Sequence, residues 1–344
     1  MFDDHKLRQQ ICAFAAANGF TGAAPDDLHL LALGGSDRRF YRVPAGETSC
    51  VAMISPPPGD EQQAWLDINR FLHSCSIAVP GVLAQDRVHH MMLVEDAGDV
   101  SLYHALQEQN DRQAVLELYK RALIFLAEMQ VRATPKMQSC SRLRTRRFDY
   151  AAFRAETDYF IQSFLQGYCR MEAPAGLTDE FHRLALTLSA EPLKFMHRDF
   201  QSQNLHLTGD HIKVIDFQTA TAGPPHYDLV SFLKDAYFIL NDAERSRLLQ
   251  HYFDARSGLG SPVEDPVAFT HTFHLCGLQR NMQALAAFSF LGTHKKKIHF
   301  YAHIPAALEY LAEALEIIDD YPLMRATIAA IQNRLPDLPT VKPA

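Results

Sequence analysis

Positive charge is scarce in this sequence. Its 33 lysine and arginine residues are outnumbered by 40 aspartate and glutamate residues, and the formal net charge at pH 7 is −7. A general nucleic-acid-binding protein needs a basic surface to neutralise phosphates. We therefore expect no nucleic-acid partner.

Long apolar runs and paired cysteines are also absent. No apolar stretch approaches the roughly 18 residues of a membrane span, and the apolar run at residues 11–17 has no basic flank typical of a secretory leader. The six cysteines are scattered without a C-x-x-C pair, which excludes a disulfide framework and the usual zinc spacings. We expect a cytoplasmic protein with free thiols and no membrane partner.

The remaining pattern indicates an α+β protein in two parts. A chain of 344 residues with 47% hydrophobic and 21% charged residues suits a globular protein of two domains or lobes. The first hundred residues favour a mainly antiparallel sheet with helices at 5–18 and 61–73, and the rest is mostly helical. We place the boundary between residues 97 and 98. The predicted strands are 28–33, 39–43, 50–54, 81–86 and 91–96, and the clearest later helices are 114–130 and 150–165.

The stretch "FMHRDFQSQNL" (195–205) carries the main chemical signal. Asp199 and Asn204 are five residues apart, and Asp216 follows in "VIDFQ". The order H-R-D-x-x-x-x-N, then a strand ending in Asp-Phe, is typical of kinases. Phosphoryl transfer needs a base for the acceptor hydroxyl and oxygen ligands for magnesium, which predicts Asp199 as base and Asn204 and Asp216 as metal ligands. The alternative is that Asp199 caps a turn and Asp216 ends a strand.

With these motifs the chain resembles the aminoglycoside phosphotransferase family of small-molecule kinases. Within that family it is most similar to the cell-wall amino-sugar kinases, which phosphorylate N-acetylmuramate and N-acetylglucosamine at the anomeric hydroxyl. The resemblance implies a two-lobed protein-kinase-like fold with ATP and Mg²⁺ as cofactors. A small β-rich N-lobe (1–97) would bind the nucleotide, and a larger helical C-lobe (98–344) would hold the catalytic loop and the acceptor. The stretches on which this resemblance rests are "GGSDRRFYRV", "VAMISPPPGD", "VPGVLAQD", "LVEDAGD", "HRDFQSQN", "VIDFQTATAGPPHYDLVSFLKDAY" and "LQRNMQALAAFSFL".

A small acceptor fits the chain better than a protein substrate. Only eleven residues separate Asp216 from Asp228, which leaves no room for an activation segment that presents a peptide. Gln218 also replaces the glycine of the Asp-Phe-Gly motif. The alternatives within enzymes are kinases for another small alcohol, such as an aminoglycoside, choline or homoserine. A pseudokinase that binds nucleotide without catalysis is the alternative from another class.

One family feature is missing. Kinases place a lysine on the third strand to hold the phosphates, and the resemblance puts that position close to Met53. No lysine lies between Lys6 and Lys120. The candidates to replace it are Arg38, Arg39 and Arg42, with ordinary exposed strand arginines as the alternative. The helix carboxylates that could pair with such a cation are Glu61 and Asp67, for which surface positions are the alternative.

Five further positions take roles from the resemblance. Glu95 and Asp96 would lie at the hinge, where backbone groups meet the adenine. Asp228 resembles a structural aspartate that braces the catalytic loop. Asp235 and Arg280 resemble residues near the acceptor, and plain helix-surface positions are the alternative.

The charge of one long segment indicates what the acceptor is. Between Asp265 and Glu309 there is no aspartate or glutamate, whereas Arg280, three lysines (295–297) and five histidines occur there. The resemblance implies that the C-terminal helices build the acceptor pocket. Its potential would then be neutral to positive, suited to an N-acetyl sugar and not to a polycationic aminoglycoside. The alternative is a buried helix followed by an unrelated surface loop.

Overall fold

A computed structural model of the chain describes residues 4–31, 38–56, 60–209 and 211–339. The backbone divides into two compact units. The first comprises residues 1–100 together with 206–218, and the second comprises residues 101–205 together with 219–344. The segment 206–218, which follows the predicted catalytic loop, therefore packs with the N-terminal hundred residues.

The first unit is built on a five-stranded antiparallel sheet of order β1-β2-β3-β5-β4. Side chains alternate between the two faces of a strand. Tyr41 and Val43 therefore share one face and pack on Ile11 and Ala15 of helix α1, while Met53 lies in register with Phe40 and Met92. The strands are β1 His29–Leu30, β2 Arg39–Ala45, β3 Thr48–Ile54, β4 Val82–Asp86 and β5 Met91–Glu95, and α1 is Asp4–Ala17.

Helix α2 and a β-hairpin complete this unit. Helix α2 (Asp60–Ser74) buries Trp65, whose ring lies 5.0 Å from that of Phe217 between centroids. Strands β7 (Leu205–Thr208) and β8 (His211–Val214) form the hairpin that precedes Phe217. The Val214 N–H donates to the carbonyl of Ala78, 3.1 Å away. These contacts hold the Asp-Phe-Gln segment against α2.

The second unit is mainly helical, with a short sheet of β6 and β9. Its longest helix, α10, begins where Pro266 follows Asp265, whose carboxylate accepts the N–H groups of Val267 and Ala268 at 3.0 and 2.9 Å. This N-cap satisfies donors that the helix itself leaves unpaired. The elements are α3 Leu102–Glu108, α4 Arg112–Ala133, α5 Ser141–Thr145, α6 Tyr150–Tyr159, α7 Leu177–Ser189, β6 Lys194–Met196, β9 Thr221–Gly223, α8 His226–Leu233, α9 Asp242–Gly258, α10 Pro266–Thr293, α11 Ile304–Ile317 and α12 Pro322–Arg334.

Most of the predicted elements are confirmed, with differences in two places. Of the predicted strand 28–33, His29–Leu30 is observed as a strand, and residues 32 and 33 lie outside the described residues. The predicted helix 150–165 is α6 followed by a π-helix, Phe160–Tyr168. All six cysteines are free, as predicted. Among the described residues, no helix combines the length and the apolar character that crossing a membrane requires.

Candidate active site

The catalytic loop of the second unit follows strand β6 and is held by a buried carboxylate. Asp228, on α8, accepts the backbone N–H groups of His197 and Arg198 at 2.7 and 2.8 Å. Arg198 has a φ of 80°, a conformation that non-glycine residues rarely adopt and that must be held by its surroundings. Burial raises the pKa of Asp228 to about 7, although the two N–H groups act in the opposite direction. Asp228 thus braces the loop, as the resemblance implies.

Asp199 stands at the exposed end of this loop. Its side chain is 35% exposed, so a substrate hydroxyl can reach it. The side-chain amide nitrogen of Asn204 donates to the carbonyl oxygen of Asp199 at 2.9 Å. That bond uses the nitrogen of the Asn204 amide, so its oxygen is the atom that could bind a cation. The loop therefore presents one carboxylate and one amide oxygen, fixed through the same backbone.

Asp235 is a second buried anchor of the loop. Its carboxylate accepts the N–H and the hydroxyl of Ser202 at 3.0 and 2.6 Å, and the N–H of Tyr237 at 3.0 Å. Burial raises the pKa of Asp235. These contacts are with the protein itself, and the predicted contact of Asp235 with an acceptor stays a prediction.

Arg280 lies beside the predicted base. Its Nη2 is 3.6 Å from Oδ1 of Asp199, and its Nε donates to the Ser231 hydroxyl at 2.6 Å. Its guanidinium carbon is 5.9 Å from the centroid of the Tyr227 ring. The side chain is buried on α10, so the alternative of a plain surface arginine is wrong. A cation thus stands next to Asp199 from a different element of the same unit.

A buried carboxylate that the sequence did not reveal lies behind Arg198. Glu156, on α6, accepts the Tyr227 hydroxyl at 2.9 and 3.0 Å and the Gln279 amide at 3.0 Å. Nη2 of Arg198 is 3.6 Å from Oε1 of Glu156. Burial raises the pKa of Glu156, and the charge of Arg198 opposes this. No local motif marks Glu156, because its partners come from distant segments of the chain.

Asp216 lies in the first unit, where it meets Arg38. Nη2 of Arg38 is 3.0 Å from Oδ1 of Asp216, and the Gln218 amide donates to the same oxygen at 2.9 Å. Nε of Arg38 is 3.6 Å from Oε2 of Glu61, the first glutamate of α2. Asp216 has a φ of 63°. Arg38 is 3% exposed, so the alternative of an ordinary exposed strand arginine is wrong for this residue, whereas Glu61, 59% exposed, does lie at the surface position that was its alternative.

The other two candidate arginines have different partners. Arg42 donates from Nε and Nη2 to Asp96 at 2.5 and 3.0 Å, and also contacts Asp99. Asp96 further accepts the Ser49 hydroxyl at 2.6 Å. Arg39 is 44% exposed, and its nearest recorded carboxylate oxygen, from Asp4, is 3.9 Å away. Arg42 thus holds the segment predicted as the hinge.

The side chains of the two predicted hinge residues, Glu95 and Asp96, also have partners within the protein. Glu95 contacts Nζ of Lys213 and accepts the N–H of Gly81 at 3.2 Å. The side chains of Glu95 and Asp96 are therefore used within the protein, which leaves backbone groups for an adenine. Met53 is fully buried and apolar, so it offers no cation.

The donor set fits magnesium better than a metal held by a complete protein cage. Among the described residues, no group of three or more histidine, cysteine, aspartate or glutamate side chains could hold a metal ion. Magnesium commonly binds one or two protein oxygen ligands and keeps waters or phosphate oxygens. Asp216, 42% exposed, offers a carboxylate and Asn204 an amide oxygen, and their role as magnesium ligands stays a prediction.

Comparison with known proteins agrees with this chemistry. A model of the phosphotransferase enzyme family matches residues 27–264. An N-acetylmuramate/N-acetylglucosamine kinase of Pseudomonas aeruginosa is 26% identical over 327 residues, which cover 92% of this chain and 94% of that protein.

Solved structures give the fold. A choline/ethanolamine kinase family protein from Mesorhizobium loti has a TM-score of 0.61 at 16% identity, covering 94% of this chain and 98% of its own. A spectinomycin phosphotransferase in complex with ADP and spectinomycin has a TM-score of 0.60 at 14% identity, covering 92% and 98%. The predicted two-lobed protein-kinase-like fold is confirmed.

Proposed function

Because the chain belongs to the phosphotransferase enzyme family, we propose that it is a magnesium-dependent kinase that phosphorylates an N-acetylated amino sugar with ATP. The acceptor we favour is N-acetylmuramate or N-acetylglucosamine, phosphorylated at the anomeric hydroxyl. The observation that carries the proposal is the catalytic loop, in which an exposed Asp199 is held through two buried carboxylates, Asp228 and Asp235. The curated relative named for these two sugars, aligned over 92% of this chain, supports the choice of acceptor.

Asp199 acts as the base in this mechanism. The acceptor hydroxyl oxygen attacks the γ-phosphorus, the bond to the β–γ bridging oxygen breaks, and ADP leaves, while Asp199 takes the hydroxyl proton. Asn204 and Asp216 are the residues that would supply oxygen ligands to magnesium, and the ion would offset negative charge on the phosphates. Backbone groups of Glu95 and Asp96 meet the adenine.

The charges around Asp199 favour an acceptor without ammonium groups. Glu156, Asp228 and Asp235 are buried and accept hydrogen bonds from protein donors, so they do not offer free carboxylates to a cation. Arg280 is the charged side chain that stands 3.6 Å from Asp199. A neutral N-acetyl sugar, or one that bears a carboxylate, suits this environment.

The test is ADP release with a panel of sugars, aminoglycosides, choline and homoserine. We expect turnover with an N-acetyl amino sugar, and we expect Asp199→Asn to lower kcat by roughly a hundredfold or more, because general-base catalysis contributes at least that much. The far-UV circular dichroism spectrum should be unchanged. Asp254→Asn, at an exposed position of α9, is the matched control and should keep full activity.

Three results would each contradict part of the proposal. Undiminished turnover in Asp199→Asn would remove this residue as the base. Nucleotide binding without turnover of any acceptor would favour a pseudokinase, and preferred turnover of choline or homoserine would change the acceptor class.

A further inference from the structure

One arginine of the first unit joins two carboxylates that lie far apart in the sequence. Arg38 precedes β2, Glu61 is on α2 and Asp216 follows β8, and the guanidinium of Arg38 is 3.6 Å from Glu61 and 3.0 Å from Asp216. The Arg38 side chain is 3% exposed, whereas those of Glu61 and Asp216 are 59% and 42% exposed. A buried cation therefore faces two carboxylates that remain open to solvent.

This arrangement is the one that kinases build with a lysine. In protein kinases a lysine of the third strand pairs with a glutamate of the following helix and must be in place for phosphoryl transfer. Here Met53 on β3 is apolar, and no lysine occurs between Lys6 and Lys120. Arg38 directly precedes β2, the strand that pairs with β3, and from this position it contacts Glu61 on α2.

We propose that Arg38 takes the place of the missing strand lysine: it links Glu61 to Asp216 and binds the phosphates of the nucleotide. The proposal rests on the kinase function proposed above. A guanidinium presents five N–H groups in a planar fork, so a single side chain can contact two carboxylates and a phosphate. Arg42 is bound to Asp96 and Asp99, and Arg39 is half-exposed beside Asp4, so neither has this geometry.

Packing supports the assignment independently of charge. The guanidinium carbon of Arg38 lies 5.5 Å from the centroid of the Phe40 ring, and Phe217, the residue after Asp216, packs on Trp65 of α2. The two partners of Arg38 are thus fixed to each other through an aromatic contact as well. Arg38 stands on a rigid frame, as a phosphate-binding residue requires.

The experiment compares nucleotide affinities by calorimetry in the full chain with magnesium present. For Arg38→Gln we expect the Kd of ATP to rise roughly ten- to a hundredfold, the effect of one lost charge-assisted hydrogen bond, with the Kd of adenosine unchanged. Arg38→Lys should recover part of the ATP affinity. Arg70→Gln, exposed on α2, is the matched control and should bind ATP like the wild type.

Three outcomes would show that Arg38 does not bind the phosphates. An unchanged ATP affinity in Arg38→Gln, an equal loss of adenosine and ATP binding, or the full effect in Arg39→Gln instead, would overturn the assignment of Arg38. If Arg38→Gln does not fold, Glu61→Gln is tested in its place, because neutralising this exposed carboxylate should cost little stability. We then expect the ATP affinity to weaken severalfold. An unchanged ATP affinity in Glu61→Gln would contradict the proposed link between Arg38 and Glu61. A wild type that binds no ATP would overturn the proposed function itself.

Discussion

At the scale of single residues, local spacing located the catalytic loop but could not separate the three arginines. Side chains of a strand alternate, so Arg39 points away from the face of Arg38 and Arg42, and those two are roughly 13 Å apart along an extended chain. They therefore meet different carboxylates, Asp216 and Asp96. Arg38 and Asp216 are 178 residues apart in sequence, and no motif spans that distance.

Asp235 offers a test at this scale between two roles. Its carboxylate accepts two hydrogen bonds from Ser202, within the loop that carries Asp199. If it positions the loop, Asp235→Asn should lower kcat by about tenfold or more, and the KM of the sugar should change little. Both Ser202 donors bind Oδ2 and the Tyr237 N–H binds Oδ1, so the single amide oxygen of an asparagine leaves one of these two groups without its acceptor. Ser202→Ala should reproduce part of the loss. Steady-state kinetics with a varied sugar concentration give both constants.

The opposite kinetic pattern would contradict a positioning role. A large rise in the KM of the sugar at nearly constant kcat would mean that Asp235 touches the acceptor, as the family resemblance implies. Glu264→Gln, in an exposed loop, is a control that should alter neither constant.

At the scale of elements, hydrophobic periodicity predicted where helices and strands occur, but it did not predict the geometry within them. The helical spacing at 150–165 is correct, but the helix changes at Phe160 to the wider π form, in which the N–H of Cys169 donates to the carbonyl of Phe164 at 2.8 Å. A π-helix and an α-helix place apolar residues at similar spacings, so the sequence does not distinguish them. A strand was predicted directly before the Asp-Phe pair and is observed as β8, whereas β9 was not predicted.

Gly292 near the end of α10 shows a constraint that the sequence pattern conceals. A Cβ at this position would lie 2.0 Å from Cε1 of Tyr301, whose ring is buried. We expect Gly292→Ala to destabilise the protein by about 1–3 kcal/mol, because a buried ring must move to admit the methyl group. Chemical denaturation monitored by circular dichroism measures this loss.

Repeating the Gly292→Ala substitution in a Tyr301→Ala variant identifies the cause of that loss of stability. In a Tyr301→Ala protein the added cost of Gly292→Ala should disappear, since the clashing ring is gone. Gly258→Ala, at the last residue of α9 with no atom within 4 Å of the added Cβ, should be neutral. A loss that persists without the Tyr301 ring would contradict the steric explanation.

At the scale of the whole molecule, the fold separates charges that the sequence groups together. The segment without acidic residues between Asp265 and Glu309 contains both α10, which buries Arg280, and the loop at 294–297, where Lys295 and Lys296 are exposed. The exposed lysines thus fit the alternative of an unrelated surface loop, and Arg280 is the cation next to Asp199. The sign of the charge was predictable from the sequence, whereas the fold determines that Arg280 is the residue that brings it close to Asp199.

The acceptor's charge is therefore the property that this molecule should discriminate most strongly. A kanamycin-type aminoglycoside carries several ammonium groups, and placing one beside the Arg280 guanidinium without a free carboxylate costs several kcal/mol. We expect kcat/KM for N-acetylglucosamine and for N-acetylmuramate to exceed that for kanamycin by roughly a hundredfold or more. An ADP-release assay gives these ratios, a reaction without acceptor corrects for ATP hydrolysis, and phosphorus NMR identifies the phosphorylated hydroxyl. A kcat/KM for kanamycin above that for both sugars would show that the acceptor assignment is wrong.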